Sequence, residues 1–256
     1  MPEVSLARSI NGYLRELAAR SRESAAVGPF LVAIDPASDN LYRNYAIPFD
    51  AATPSGADTA DLIAWFSKRS RTPRFEYVTD AALEVEPALL RHGFRVEGRL
   101  PLMTCGREEL RPCPCPEGIE FVIAGSRALL GQAAAVQNEA YGGGGISEAD
   151  VDRLAKIVGS GGRVVLAVDR DSGEPAGAGL FGPPLNGVTE IAAIGVAERV
   201  RRRGIGAQLT VTLARQAFTD GIATPFLMAA HPAEERIYAR VGFVTRCEIL
   251  HISTSA

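Results

Sequence analysis

The sequence has little of what marks a membrane, secreted or metal-binding protein. It contains no run of about 18 apolar residues, the length that a membrane-spanning helix needs. The start of the chain spaces its apolar residues as an amphipathic helix does and has no continuous stretch of signal-peptide type. Its 4 cysteines form no CxxC pair, and its 3 histidines do not stand at zinc-finger spacing. We therefore expect no membrane span, no metal site and a cytoplasmic location.

Charge of one sign is also scarce. The 27 basic and 30 acidic residues leave a formal net charge of −3, which gives no general reason to expect a nucleic-acid or acidic-membrane partner. A hydrophobic content of 46% is ordinary for a folded protein and argues against disorder. We expect a monomer or homodimer that acts on a small molecule or peptide.

The segment RPCPCPEG at 111–118 divides the chain, because its alternating prolines favour an extended linker. We place one domain at 1–110 and a second at 119–256. In the second, strands and helices alternate, which indicates an α/β (α+β) fold with a mixed sheet. The expected strands are 120–125, 163–169, 175–182, 188–196, 224–230 and 243–252, and the expected helices are 126–141, 147–158, 205–221 and 232–242.

The N-terminal half repeats the back part of this pattern. LLRHGFRVEGRL at 89–100 aligns with YARVGFVTRCEI at 238–249, because Gly242 minus Gly93 and Phe243 minus Phe94 both give 149. A helix-like segment at 57–70 and a strand-like segment at 75–80 precede this repeat, in the same order as the helix at 205–221 and the strand at 224–230. Repetition at a fixed offset indicates a duplicated architecture. We therefore interpret the chain as a tandem duplication rather than as one with an unrelated N-terminal domain.

The stretch EIAAIGVAERVRRRGIGA at 190–207 runs from a strand through an arginine-rich turn into a helix. The first turn of a helix has unpaired N–H groups and a partial positive charge, which together favour an anion such as phosphate. Gly204 and Gly206 let a ligand approach the backbone. The turn lacks the lysine of a phosphate-binding P-loop and the third glycine of a dinucleotide fingerprint. A helix start with a solvated basic rim explains the turn equally well.

Two signatures in the right order resemble the GNAT superfamily of N-acetyltransferases. Arg201-Arg202-Arg203-Gly204-Ile205-Gly206 resembles its [Gln/Arg]-x-x-Gly-x-[Gly/Ala] turn. HPAEERIYARVGF at 231–243 resembles its second signature, with Tyr238, Gly242 and Phe243 at the family spacing. His231 stands where the family has asparagine, and Glu234 where it has alanine. The resemblance covers 118–252 and implies the acyl-CoA N-acyltransferase fold, a mostly antiparallel sheet flanked by helices.

The resemblance implies acetyl-CoA as co-substrate and a role for each matching residue. Backbone amides of the turn would hold the pyrophosphate, and the main chain of Ile194 and Val196 would pair with the pantetheine arm beside a splayed bulge at Val196. Tyr238 would protonate the departing thiolate; a half-buried packing tyrosine is the alternative. The expected acetyl-CoA-binding residues are Ile194, Val196, Arg201, Arg202, Arg203, Gly204, Ile205, Gly206, Ala207 and His231.

The general base is harder to assign. Glu190 precedes Val196 by six residues, as does the catalytic glutamate in the similar strand of the histone-acetyltransferase branch, but a strand-end glutamate in solvent is an equal alternative. Glu139 and Tyr141, beside the glycine run 142–145, are candidates for contact with the acceptor substrate.

The resulting hypothesis is an N-acetyltransferase that moves an acetyl group from acetyl-CoA directly to a primary amine of a small molecule or peptide. The alternative is an acyl-CoA-binding sensor without turnover. At the offset of 149, the basic glycine turn falls on 52–57, which has no such turn, and Tyr238 falls on Leu89. We therefore expect the N-terminal half to be a degenerate copy without acetyl-CoA binding.

Overall fold

The computed structural model describes residues 3–254 as a mixed arrangement of strands and helices. The strands are β1 (Glu23–Val27), β2 (Phe30–Ile34), β3 (Tyr45–Pro48), β4 (Arg74–Val78), β5 (Arg95–Thr104), β6 (Ile119–Ile123), β7 (Arg163–Asp169), β8 (Pro175–Phe181), β9 (Val188–Val196), β10 (Thr224–Met228) and β11 (Val244–Ser253). The helices are α1 (Glu3–Ser21), α2 (Gly56–Ser67), α3 (Val85–Arg91), α4 (Arg127–Ala140), α5 (Glu148–Gly159), α6 (Ile205–Thr219) and α7 (Pro232–Arg240). None of these helices has the length and apolar content that crossing a bilayer requires.

The chain forms two compact units. Unit 1 contains the described residues up to Leu102 together with those from Thr245 onward, and unit 2 contains Met103–Val244. The strand order is β1-β2-β3-β4-β11-β5 in unit 1 and β10-β9-β8-β7-β6 in unit 2. β3 pairs parallel with β4, and β9 with β10. The remaining pairs of known register are antiparallel, so the predicted mixed and mostly antiparallel sheet is confirmed.

Unit 1 is held together by an aromatic core. The ring of Phe75 on β4 makes edge contacts with Phe30 at 5.0 Å and with Phe94 at 5.7 Å between centroids. The amphipathic spacing predicted for α1 is confirmed at Ile10 and Leu14, which are 0% and 7% exposed. Burial of these large side chains supplies the main favourable term in folding.

Unit 2 encloses a separate apolar core between its sheet and its helices. The predicted bounds of β7 and β9 agree with the structure. α5 begins with a capping box, in which the side chains of Ser147 and Asp150 bond each other's backbone N–H. α4 begins after Ser126, whose hydroxyl accepts from the Leu129 N–H at 3.3 Å. These caps satisfy N–H groups that each helix start leaves unpaired.

The two halves repeat with the predicted offset. β5 and β11 begin 149 residues apart (244 minus 95) and end 149 residues apart (253 minus 104). α2 begins at Gly56 and α6 at Ile205, which again differ by 149. The order of elements therefore supports a duplicated fold.

The compact units divide the chain at other places than the predicted domain boundaries. β11 pairs antiparallel with β4, so the last strand completes unit 1 rather than the domain predicted at 119–256. The segment predicted as a linker at 111–118 packs on unit 2: the Arg111 N–H donates to the Val241 carbonyl at 3.0 Å, and the Cys113 thiol to Gln208 Oε1 at 3.0 Å.

Candidate active site

A cavity of about 850 Å³ lies within unit 2, where β9, the turn before α6, the end of α4 and helix α7 meet. Most residues predicted from the sequence line it. They are Tyr141, Ile194, Val196, Arg201, Arg202, Gly204, Ile205, Gly206, Ala207, His231 and Tyr238. Arg203, Glu190 and Glu139 were also predicted but do not line the cavity.

A bulge in β9 shapes one wall. The register with β8 passes from Leu180↔Ala192 to Ala178↔Gly195, so β9 has one residue more than β8 over this stretch. Ala193 takes up the extra residue with φ 54°, a left-handed conformation that is rare outside glycine. The bulge was predicted at Val196; it lies at Ala193, three residues earlier.

Beyond the bulge, β9 offers an open edge. Its pairing with β10 covers Val188–Glu190, although β10 continues to Met228. The Ala197 N–H donates to the Ala176 carbonyl of β8 at 3.0 Å. Because successive residues of an antiparallel strand turn their N–H and C=O groups to opposite sides, those of Val196 point away from β8. A ligand in the cavity can accept from the Val196 N–H as an added strand would, while the Val196 carbonyl accepts from Arg201.

The start of α6 forms a second wall. Gly204 has φ 85°, and no side chain caps the helix or places a carboxylate in its first turn. A Cβ at Gly204 would meet nothing within 4 Å, so the space in front of the backbone is open. The uncapped N–H groups of the first turn, with the helix dipole behind them, form an anion-binding site.

Arginines at this turn have different roles. Arg201 lines the cavity and donates from Nε to the Val196 carbonyl at 3.2 Å. Arg203 instead donates from Nη2 to the Glu117 carbonyl at 2.7 Å, so it anchors the segment before β6. Arg202 and Arg240 leave two further cations on the cavity wall. Sequence reasoning missed Arg240, which stands two residues after Tyr238.

Tyr238 on α7 faces the cavity and is 9% exposed. Burial first, and then the charge of Glu234, raise the pKa of Tyr238 above the usual tyrosine value. Its hydroxyl is therefore protonated throughout the neutral range, the state in which it can donate a proton.

Tyr141 follows the last residue of α4 and also lines the cavity. Although its ring is largely exposed, its hydroxyl turns inward and donates to the Ile194 carbonyl at 3.3 Å. Desolvation, followed by the charge of Glu234, raises the pKa of Tyr141 as well. The charge of Glu234 thus raises the pKa of both Tyr141 and Tyr238.

Glu234 is a cavity residue whose role the sequence did not indicate. Its Oε2 accepts from the backbone N–H groups of Ala230 at 2.9 Å and His231 at 3.3 Å, which fixes the loop leading into α7. The replacement of the family's alanine at this position was the available signal. Since the His231 N–H makes this bond, only its other groups are available to a ligand in the cavity.

Glu190 lies on β9 opposite Phe226 of β10 and is half-buried. Counting through the bulge, its side chain is on the same face of the sheet as Gly195, which contacts Ala140 of α4. Glu139 receives the Glu198 N–H at Oε1 over 3.4 Å and stands outside the cavity wall. The catalytic role of Glu190 and the substrate contact of Glu139 stay predictions.

The sequence did not predict Gln137 of α4 as a site residue, because it is one polar residue on an apolar helix face. It is 3% exposed, and its Nε2 donates to the Ala193 carbonyl at the bulge over 2.8 Å. No cluster of three metal-ligating side chains occurs among residues 3–254.

Comparison with known proteins gives one family match. Residues 135–243 match the model of the acetyltransferase (GNAT) family. This range contains the whole cavity described above and ends with the Gly242-Phe243 pair of the second signature. No curated protein matches the chain.

Solved structures extend the likeness to both units. A GCN5-related N-acetyltransferase from Kribbella flavida has a TM-score of 0.82 at 23% identity, covering 96% of this chain and 95% of that one. One from Sphaerobacter thermophilus has a TM-score of 0.66 at 18% identity, over 98% and 90%. A tandem GNAT protein from the clavulanic acid biosynthesis pathway has a TM-score of 0.65 at 12% identity, over 89% and 79%. Residues 135–243 thus match the GNAT family of acetyltransferases, and the chain as a whole, its N-terminal half included, has the fold of GNAT structures.

Proposed function

We propose that the protein is an N-acetyltransferase that moves an acetyl group from acetyl-CoA directly to a primary amine of a small molecule or peptide. The observation that carries this proposal is the meeting, in one cavity, of an uncapped helix start at Gly204 and an open strand edge at Val196. The first suits a pyrophosphate, and the second suits the amides of a pantetheine arm. A nucleotide alone would need only the first.

The residues present fit acetyl-CoA as the co-substrate. The N–H groups of Ile205, Gly206 and Ala207 would bind phosphate oxygens, helped by the positive charge of Arg201 and Arg202 at the rim. The main chain of Ile194 and Val196 would bind the pantetheine arm, and the Val196 N–H would polarise the thioester carbonyl. A donor placed where negative charge develops is a major source of rate enhancement in acyl transfer.

Proton transfer completes the reaction. The acceptor arrives as an ammonium ion and must lose one proton before its lone pair can attack the thioester carbonyl; Glu190, acting through water, is the proposed base. The second nitrogen proton is lost as the amide forms. Tyr238 donates its proton to the leaving thiolate and regains one from the nitrogen, so the products are the amide, the free thiol and one released proton.

Thiol release is the test. Purified protein is incubated with acetyl-CoA and a panel of small amines, amino acids and peptides, and free thiol is measured with and without each acceptor. Release that depends on one acceptor class supports the proposal and identifies the substrate. Saturable acetyl-CoA binding without release across the panel favours the sensor instead, and absence of binding rejects both.

A further inference from the structure

One side chain of α4, that of Gln137, makes a hydrogen bond to the bulge of β9. Gln137 is 97% inaccessible, since its exposed fraction is 3%, and it lies among buried apolar neighbours on its helix, Ala133, Ala134 and Val136. Its Nε2 donates to the carbonyl oxygen of Ala193 at 2.8 Å. Burying a polar side chain costs free energy unless hydrogen bonds compensate for the lost water, and this bond supplies that compensation for the amide N–H.

Ala193 needs such support. The extra residue of a bulge drops out of the ladder, so its carbonyl has no partner from the neighbouring strand. Ala193 also has φ 54°, a conformation that a Cβ makes unfavourable. The amide of Gln137 satisfies the carbonyl in this orientation, and the opposite oxygen, Gln137 Oε1, has no hydrogen-bond partner. The side chain is therefore placed for one bond rather than for a network.

The helix and the strand touch directly after the bulge. A Cβ on Gly195 would lie 2.9 Å from the Cβ of Ala140 and 3.4 Å from the Cα of Gln137. The backbone of β9 thus rests on α4 at this point, and a shift of the Ala193 carbonyl would move Ile194 and Val196. These are the two residues whose main chain lines the cavity.

We propose that Gln137 is a positioning residue, which fixes the Ala193 carbonyl and thereby aims the open edge of β9 at the pantetheine arm. This inference takes acetyl-CoA as the ligand from the proposed function, whereas the hydrogen bond to Ala193 does not depend on it. Its loss should loosen residues 193–196 and weaken binding of acetyl-CoA, because the bound ligand would then have to order a mobile edge.

The test compares Gln137→Met with Leu130→Ala. Methionine keeps the length of the side chain but donates no hydrogen bond, whereas Leu130 is a buried residue of the same helix, about two turns before Gln137. We expect acetyl-CoA to bind Gln137→Met at least about tenfold more weakly than wild type by calorimetry. Leu130→Ala should lower the unfolding midpoint with unchanged affinity. A folded Gln137→Met with wild-type affinity overturns the proposal.

A second variant separates positioning from packing. In Gln137→Glu only the protonated carboxyl can donate to the Ala193 carbonyl, so affinity should recover at low pH and fall as the carboxyl ionises, relative to wild type at each pH. A flat ratio between variant and wild type contradicts the role.

Hydrogen exchange tests the geometry without any ligand. Peptides covering residues 192–198 should exchange faster in Gln137→Met than in wild type or Leu130→Ala, with the rest of unit 2 unchanged. If wild type fails to bind acetyl-CoA, the proposed function falls, and this exchange alone decides the positioning role: equal rates reject it, and local acceleration supports it.

Discussion

The hydroxyl of Tyr141 donates to the carbonyl oxygen of Ile194 over 3.3 Å, and both residues line the cavity. This carbonyl is one that the pantetheine arm is proposed to use, so the tyrosine occupies a position that the ligand competes for. The glycine run 142–145 follows directly in the chain, which lets the end of α4 move aside.

Replacing Tyr141 by phenylalanine should therefore strengthen acetyl-CoA binding by about two- to fivefold, the equivalent of one modest hydrogen bond of about 0.5–1 kcal/mol. Calorimetric titration measures this. Tyr42→Phe, at a largely exposed tyrosine of unit 1, is the matched control and should change nothing. Weaker binding by Tyr141→Phe would show that the hydroxyl helps to hold the ligand.

The glycine turn allows strain and ligand contact to be separated. Gly204 and Gly221 have φ 85° and 81°, and a Cβ at either would meet nothing within 4 Å. Valine at each should cost comparable stability, at least about 1–2 kcal/mol from the left-handed backbone. Only Gly204→Val should also weaken acetyl-CoA binding, because its side chain would crowd the phosphates. Equal affinity in both variants would refute the placement of the pyrophosphate.

Glu190→Gln is expected to lower turnover by about 100-fold or more, the usual contribution of a general base, with acetyl-CoA affinity unchanged. Steady-state kinetics and calorimetry together measure this separation. The control is Glu120→Gln, at an exposed glutamate on β6. Wild-type turnover in Glu190→Gln would reject Glu190 as the base and direct attention to Glu234, the carboxylate on the cavity wall.

Tyr238→Phe should lower turnover with little change in acetyl-CoA affinity, since the acid acts only on the leaving thiolate. The variant also has a signature in stability. Burial, then Glu234, raise the pKa of Tyr238 in the folded state above its unfolded value near 10. The contribution of the protonated Tyr238 hydroxyl to the free energy of unfolding is therefore fully present below about pH 10. It is lost as the pH rises further, by up to about 1.4 kcal/mol per pH unit.

Urea unfolding at pH 9 and pH 11 measures this loss. Wild type should lose more stability between the two values than Tyr238→Phe does, because the other titrating groups are common to both proteins. Equal losses would mean that the Tyr238 hydroxyl is no less ionisable in the folded chain.

Unit 1 should bind no acetyl-CoA. The start of its equivalent helix α2 is closed by a capping box, in which Asp58 Oδ2 accepts from the Ser55 N–H at 2.8 Å. The Ser55 hydroxyl and N–H lower the pKa of Asp58, so a carboxylate stands where a phosphate would bind. Calorimetry should give one site per chain, and Gly204→Val should weaken binding at that site. Two sites would contradict the degenerate reading of the N-terminal half.

Local signals predicted much of the fold. The apolar run of β7 and the glycine after the arginine turn each specify a conformation through neighbours in the chain, and the structure has them. The order of the repeated elements followed from one glycine-phenylalanine step. Most of the cavity wall could be predicted because it lies at these same strand and helix ends.

What the sequence did not predict depends on contacts between distant residues. The pairing of β11 with β4 joins segments about 170 residues apart, as in Ile249↔Val78, and no local pattern selects that partner. The bulge was placed too late because Ala193, unlike glycine or asparagine, gives no sign of a left-handed backbone. Gln137 is recognisable only once α4 is seen to lie beneath that residue.

The position of β11 has a consequence for the order in which the protein matures. β11 (Val244–Ser253) lies between β4 and β5 in the sheet of unit 1. Unit 1 therefore cannot complete this sheet until β11 has left the ribosome, after all of unit 2 has been translated. A stalled or prematurely terminated chain would leave the edges of β4 and β5 exposed to other strands. The N-terminal residues of unit 1 are thus translated before unit 2 but complete their sheet after it.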